Sequence, residues 1–273
     1  MNYLQPNNYP NFYICLDNNY ELKKILDFIL MENNYKFKKN LDFILIENNY
    51  ELKKLLEFIL IEYELLFSKE VLCNSKCIII NYPMNKYPQF FPFKKTQEIH
   101  LAVDSFDYYA WTTYQVSHEL CHYILHQTSN NLPILSWFEE TLCEAFSLYI
   151  LDFCYEKWSD CEIAKKYPHY NSSMLKYLIK DFNKIPNDGL KKCKSLDDLK
   201  YIDSISESDR SQRILERNSV YKLFKEYRDD IYLITNYRKY IISDVLIDFE
   251  RWLKDTNNNQ FIKKLSKIQP LIN

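Results

Sequence analysis

Glycine is almost absent from this 273-residue sequence, in which Gly189 is the single example. Asparagine tolerates left-handed backbone angles better than other non-glycine residues, so we expect asparagine at many helix ends and turns. An excess of charge of one sign is also lacking, because 35 basic and 37 acidic side chains give a formal net charge of −2. This balance predicts no nucleic-acid partner and no anionic membrane surface as a partner.

Long hydrophobic runs are missing as well. The longest candidate, residues 142–154, is interrupted by Glu144 and Asp152 and falls short of the ~18 residues that a membrane span requires. Residues 1–15 have no basic stretch followed by an apolar one, so no secretory signal is predicted. The eight cysteines have irregular spacing. We therefore expect a cytoplasmic protein with reduced thiols.

Three tandem copies of a 15-residue unit occupy residues 18–62, and they read NNYELKKILDFILME, NNYKFKKNLDFILIE and NNYELKKLLEFILIE. In the third copy, Leu52, Leu55, Leu56 and Ile59 follow the spacing of an amphipathic helix. Two interpretations remain open. The copies form duplicated helices that pack on the domain, or they form an arm that binds a protein partner.

A small sheet and a helical remainder are predicted around these repeats. The run CIIINY at residues 77–82 is typical of a buried strand. Residues 97–103 alternate in polarity, which predicts a half-buried strand with His100 on its exposed face. Helical spacing recurs from residue 161 onward. The sequence therefore predicts an α+β fold, mostly helical, in three segments: an N-terminal helical segment (1–72), a core (73–160) and a helical C-terminal lobe (161–273).

The chemistry-bearing stretch is HELCH, residues 118–122. His118 and His122 lie one helical turn apart, so both imidazoles can reach one metal ion. Glu119 lies about 100° further around the helix than His118, which suits a general base better than a ligand of the same ion. The pattern H-E-x-x-H is that of a zinc peptidase site. His126 lies ~12 Å along the helix from His118, so we expect it to be solvated and not to bind that ion.

A second helix with several acids follows in the stretch SWFEETLCEAFSLYIL. Ser136 and Glu139 have the spacing of a capping box, in which Glu139 folds back onto the helix start. Glu140 and Glu144 are then left on one helix face, one turn apart. One of these two carboxylates is expected to bind the metal, and the other to accept a hydrogen bond from a ligating imidazole.

The two motifs together resemble those of the gluzincin zinc peptidases, the group of thermolysin and the zinc aminopeptidases. HELCH is followed about twenty residues later by WFEETLCEAF, and residues 137–140 match the W-x-x-E pattern of that group. The resemblance covers roughly residues 97–153. It implies a zincin-like fold with the small sheet beside the active-site helix, Glu140 as the third ligand and Glu144 as the outer acid. Thr141 departs from the small residue that follows the ligand in the family.

The function that the resemblance implies is Zn²⁺-dependent hydrolysis of peptide bonds in a peptide or protein substrate, with Glu119 as general base. A tyrosine or histidine downstream often stabilises the oxyanion in such enzymes, and Tyr170 is the residue we choose. Cys121 and Cys143 are predicted to be core residues. The alternative is a catalytically inactive, zincin-like interaction protein, in which zinc is structural and the helical repeats bind a partner.

Overall fold

The computed structural model describes residues 3–6, 8–9, 11–15, 50–72, 74–92, 96–105, 108–129 and 131–272. The first two repeats and the Asn-Asn pair of the third lie outside the described residues. The hypothesis of a partner-binding arm falls largely on them and stays a hypothesis.

The described residues include a five-stranded sheet. Its strands are β1 (Tyr3–Leu4), β2 (Phe12–Cys15), β3 (Cys77–Asn81), β4 (Gln89–Phe91) and β5 (Gln97–Leu101). The spatial order is β1-β2-β3-β5-β4, with β2, β3 and β5 parallel and the two outer strands antiparallel to their neighbours. The isoleucine run of β3 suits this central place, because parallel strands are covered on both faces.

Strand β5 is buried along its whole length, so the prediction of a half-buried strand with an exposed His100 was wrong. The His100 ring lies between Tyr82 and Phe91, at centroid distances of 4.5 and 4.3 Å. Its Nε2 is 2.7 Å from Oε2 of Glu98. The two polar residues can be buried because they contact each other and are covered by aromatic rings, one from β4 and one from the residue after β3.

Helices make up most of the described chain, which is therefore α+β. They are α1 (Tyr50–Phe67), α2 (Lys69–Leu72), α3 (Tyr109–Ser129), α4 (Ser136–Glu156), α5 (Asn171–Phe182), α6 (Leu196–Ile205), α7 (Ile214–Glu226), α8 (Phe249–Asp255) and α9 (Gln260–Leu265). A run of 3₁₀ turns, Arg228–Tyr240, leads into a short hairpin of β6 (Ile241–Ile242) and β7 (Leu246–Ile247). No helix within the described ranges is both long and apolar enough to cross a membrane.

Helices α3 and α4 lie at the centre and are joined by a short loop. They contribute to a buried apolar cluster that also contains residues from the sheet, from α1 and from the C-terminal lobe. Helix α1, the described part of the third repeat, buries the predicted face of Leu52, Leu55, Leu56 and Ile59. Glu62 ends this repeat and is buried too, where it accepts hydrogen bonds from Tyr149 (2.6 Å) and Arg228 (2.9 Å). The third repeat thus packs on the domain.

Candidate metal centre

Helix α3 presents His118 and His122 to one point. Their Nε2 atoms are 3.3 Å apart, as expected for residues one helical turn apart on the same face. His118 is buried and His122 is partly accessible. The buried Nδ1 of His118 has no hydrogen-bond partner among the residues that the structure describes.

Glu140 of α4 completes this pair. Its Oε2 lies 3.2 Å from Nε2 of His118, and its Oε1 lies 3.2 Å from Nε2 of His122. The three side chains form a group that could hold a metal ion, with one ligand atom from each residue and all of these atoms within 4.8 Å of one another. Tetrahedral zinc with ligands at 2.0–2.1 Å sets those ligands about 3.3–3.4 Å apart. Two imidazole nitrogens and one carboxylate at these separations fit zinc in both chemistry and spacing.

Glu139 contacts the nitrogen of the His122 ring that does not face the cluster, which contradicts its predicted capping role. Helix α4 has Leu135 at its N-cap and no side-chain cap hydrogen bond. Oε1 of Glu139 lies instead 2.9 Å from Nδ1 of His122. Because Nε2 of His122 faces the cluster, Nδ1 carries the proton donated to Glu139 and fixes the orientation of the ring.

Two residues from the C-terminal lobe hold Glu139 in place. Arg238 donates to both carboxylate oxygens, at 3.1 and 2.8 Å, and Tyr237 donates its hydroxyl to Oε2. Burial opposes ionisation of Glu139, but His122 and Arg238 outweigh it and lower the pKa of this carboxyl. Arg238 and Tyr237 cannot be predicted from the sequence, because no motif or spacing connects them to a site about a hundred residues earlier.

Glu144 does not contact either imidazole, so its predicted role as the outer acid is wrong. This residue is fully buried, and its Oε1 lies 2.9 Å from an Arg213 nitrogen, with Arg217 3.9 Å from Oε2. Glu144 follows Glu140 by one turn of α4, which carries its carboxylate past the cluster and into a group of arginines. Glu139 occupies the place that the resemblance assigned to Glu144.

Tyr170 also lies away from the cluster, contrary to its predicted role. Its ring packs against Tyr109 and Trp158, and its hydroxyl accepts a hydrogen bond from the backbone N–H of Ala110 at 3.4 Å. Ala110 precedes His118 by eight residues, about 12 Å along the helix. The chain after α4 turns back towards the start of α3, so Tyr170 is a packing residue there.

Three further residues near the site were predicted from the sequence, namely Cys121, Cys143 and His126. Cys121 and Cys143 are buried free thiols in the core, as predicted. His126 is buried rather than solvated, because the ring of Phe90 in β4 packs against it at 5.8 Å. It is not part of the ligand cluster.

Burial and neighbouring charges set the ionisation of the cluster. Burial, assisted by the charge of Arg210, lowers the pKa of His118 to about 3, so this ring is neutral and able to bind a metal. Burial also raises the pKa of Glu119 to about 8. For His122, burial opposes protonation, but Glu140 and Glu139 outweigh it and raise the pKa well above its usual range. A metal ion therefore displaces a proton when it binds His122.

Comparisons of the chain with protein-family models, with curated proteins and with solved structures found no match. The geometry of the cluster and of the residues around it is thus the basis for a functional proposal.

Proposed function

We propose that this protein is a zinc-dependent peptidase with a zincin-like fold. The observation that carries the proposal is the meeting of His118, His122 and Glu140 at separations of 3.2–3.3 Å. Three protein ligands of this kind leave one tetrahedral position for water or substrate, as in catalytic zinc sites. When bound, zinc lowers the pKa of water to about 7 and polarises a carbonyl group.

Glu119 supplies the proton transfer in this proposal. Its Oε1 is 3.9 Å from Nε2 of His118, so the carboxylate lies beside the cluster without closing it as a fourth ligand. From there it accepts a proton from the attacking water and returns it to the leaving nitrogen. Glu139 holds the ring of His122 in the orientation in which Nε2 faces the cluster.

Replacement of Glu119 by glutamine tests the proposal. We expect zinc-loaded Glu119→Gln to keep its metal and to lose at least about 100-fold in hydrolysis of a degenerate peptide library read by mass spectrometry. Glu70→Gln, at an exposed acid on α2, is the control and should cleave like wild type. Equal cleavage by wild type and Glu119→Gln would contradict the assignment of the base.

One observation favours the second candidate function, a catalytically inactive interaction protein with a structural zinc. His118 and Glu119 are each only 2% exposed, and structural zinc sites are closed to solvent. On this alternative, wild type and Glu119→Gln are equally inert toward the library, yet both unfold more easily when a chelator removes the metal. Deletion of residues 18–47 would then abolish partner binding and leave the metal content unchanged.

A further inference from the structure

Three arginines of the C-terminal lobe converge on the side of α4 next to the ligand cluster. The side chains of Arg213 and Arg217 are 0% and 1% exposed. Arg213 lies 2.9 Å from Glu144, and Arg217 donates to Asp181 at 2.6 Å. These two buried cations are thus matched by two buried carboxylates.

Arg210 differs from Arg213 and Arg217 both in its exposure and in its pairing with a carboxylate. Its side chain is 30% exposed, and its closest approach to a carboxylate is the 4.0 Å between its Nε and Oε1 of Glu144. That carboxylate already pairs with Arg213. Within the described part of the chain, no side-chain hydrogen bond of Arg210 is found. The donors of this guanidinium are therefore available to a ligand.

This guanidinium interacts electrostatically with the ligand cluster. Glu144 is one turn beyond Glu140 on α4, which separates their Cβ atoms by about 6 Å. Burial lowers the pKa of Arg210, but Tyr114 and the carboxyl groups of Glu144, Glu140 and Glu119 outweigh burial and raise it.

The charges around the site leave Arg210 in excess once a metal is present. A divalent ion carries two positive charges, which Glu140 and Glu119 offset, because a nearby cation favours the ionised form of the Glu119 carboxyl. Glu139 is paired with Arg238, as Glu144 is with Arg213. The charge of Arg210, whose side chain is 30% exposed, then remains unbalanced, and a site with net positive charge attracts anions.

We propose that Arg210 binds a carboxylate of the substrate next to the scissile bond. This inference rests on the proposed peptidase function and deepens it by naming a substrate class, peptides with an acidic side chain or a C-terminal carboxylate near the cleavage point. Guanidinium suits this task, because its planar fork pairs with both carboxylate oxygens at once.

A binding experiment tests Arg210 without requiring turnover. The probes are the monohydroxamates of succinic, glutaric and adipic acid, whose hydroxamate group chelates zinc, and the same compounds with the carboxylate replaced by a primary amide. Calorimetry on zinc-loaded wild type should show that the best-fitting acid binds at least about 10-fold more tightly than its amide. Arg210→Gln should abolish this preference, and Arg210→Lys should retain only part of it.

Arg251→Gln is the matched control, because this arginine is 61% exposed on α8, and it should preserve the preference. Equal affinity of acids and amides for wild type, with hydroxamates still bound, would overturn the inference and leave the metal centre intact. Failure to take up zinc, or failure of every hydroxamate to bind, would overturn the proposed function and this inference with it.

The source of the carboxylate is distinguished by cleavage of three peptide sets with Arg210→Gln. One set has an internal Asp or Glu and an amidated C-terminus, the second has a free C-terminus and no acid, and the third has neither. A loss confined to the first or the second set supports the inference and identifies the source. Equal losses in all three sets would contradict it.

Discussion

Two buried glutamates on α4, Glu139 and Glu144, lie on either side of the proposed ligand Glu140 in the sequence and differ in what they contact. Both are paired with arginines from the C-terminal lobe. Only Glu139 reaches an imidazole, at 2.9 Å from Nδ1 of His122. Glu139, next to Glu140 in the sequence, lies level with the His122 ring. Glu144, four residues after Glu140, lies a full helical turn past that ring.

The arginine partners explain how the protein accommodates two carboxyl groups in its interior. A buried carboxylate without a partner takes up a proton instead of carrying charge. Arg238 lets Glu139 remain an acceptor for His122, and Arg213 neutralises Glu144 in a group that does not contact the imidazoles. We therefore expect changes at either glutamate to lower stability, because each leaves a buried arginine unpaired, and only changes at Glu139 to weaken metal binding as well.

The largest expected effect is on stability, at Glu144. Glu144→Gln leaves the fully buried Arg213 without its carboxylate, which costs about 3–5 kcal/mol of unfolding free energy. Urea unfolding measures this loss, and the zinc content per folded chain should not change. Glu156→Gln, a half-exposed acid on the same helix, should cost less than about 1 kcal/mol. A loss of zinc from folded Glu144→Gln would remove the distinction between the two glutamates.

Glu139→Gln should weaken metal binding in addition to leaving the buried Arg238 without its carboxylate. Loss of the charged acceptor for His122 is expected to weaken zinc affinity about 10–100-fold, measured by competition with a chelating dye. Glu140→Gln should weaken it far more, because a direct ligand is removed. Glu144→Gln is the control and should leave zinc affinity unchanged. A larger loss of zinc affinity in Glu144→Gln than in Glu139→Gln would support Glu144 as the outer acid that the resemblance implied.

Tyr237→Phe should have a smaller effect than Glu139→Gln. The change removes the hydroxyl that Tyr237 donates to the buried Glu139, and Arg238 still neutralises the carboxylate. We expect a loss of about 1 kcal/mol in unfolding free energy and a change in zinc affinity of less than about 10-fold. An effect on zinc as large as that of Glu139→Gln would mean that Tyr237, rather than Arg238, holds the carboxylate.

The smallest effect is expected at Tyr170. Tyr170→Phe removes a hydroxyl that accepts a 3.4 Å hydrogen bond at the start of α3, about 12 Å from His118 along the helix. Stability should fall by no more than about 1 kcal/mol, and zinc affinity and peptide hydrolysis should be unchanged. A collapse of hydrolysis with intact zinc binding would return Tyr170 to the active site.

The predictions that the structure confirms were made from the spacing of residues close together in the sequence. His118 and His122 meet because helix geometry alone brings positions four apart together, and Ile99 and Leu101 are core residues, as the alternation of β5 indicated. The third repeat likewise buries the face that its periodicity predicted. Such patterns depend only on nearby residues, so they can be interpreted without knowledge of the tertiary fold.

The errors concern residues whose partners are distant in sequence. Glu139 looked like half of a capping box because Arg238, 99 residues later, has no visible connection to it. His126 and His100 looked exposed because the aromatic rings of β4 that cover them belong to an irregular stretch without helical or strand periodicity. Long-range burial of polar groups is decided by packing, which a local pattern does not contain.

Metal content tests the central claim most directly. Purified protein should be loaded with zinc, freed of excess and measured by elemental mass spectrometry, for wild type beside His118→Ala, Glu140→Gln and Glu144→Gln. We predict one zinc per chain in wild type and in folded Glu144→Gln, and none in the other two variants. Wild type without zinc, or His118→Ala with zinc at the wild-type level, would contradict a metal centre at His118, His122 and Glu140.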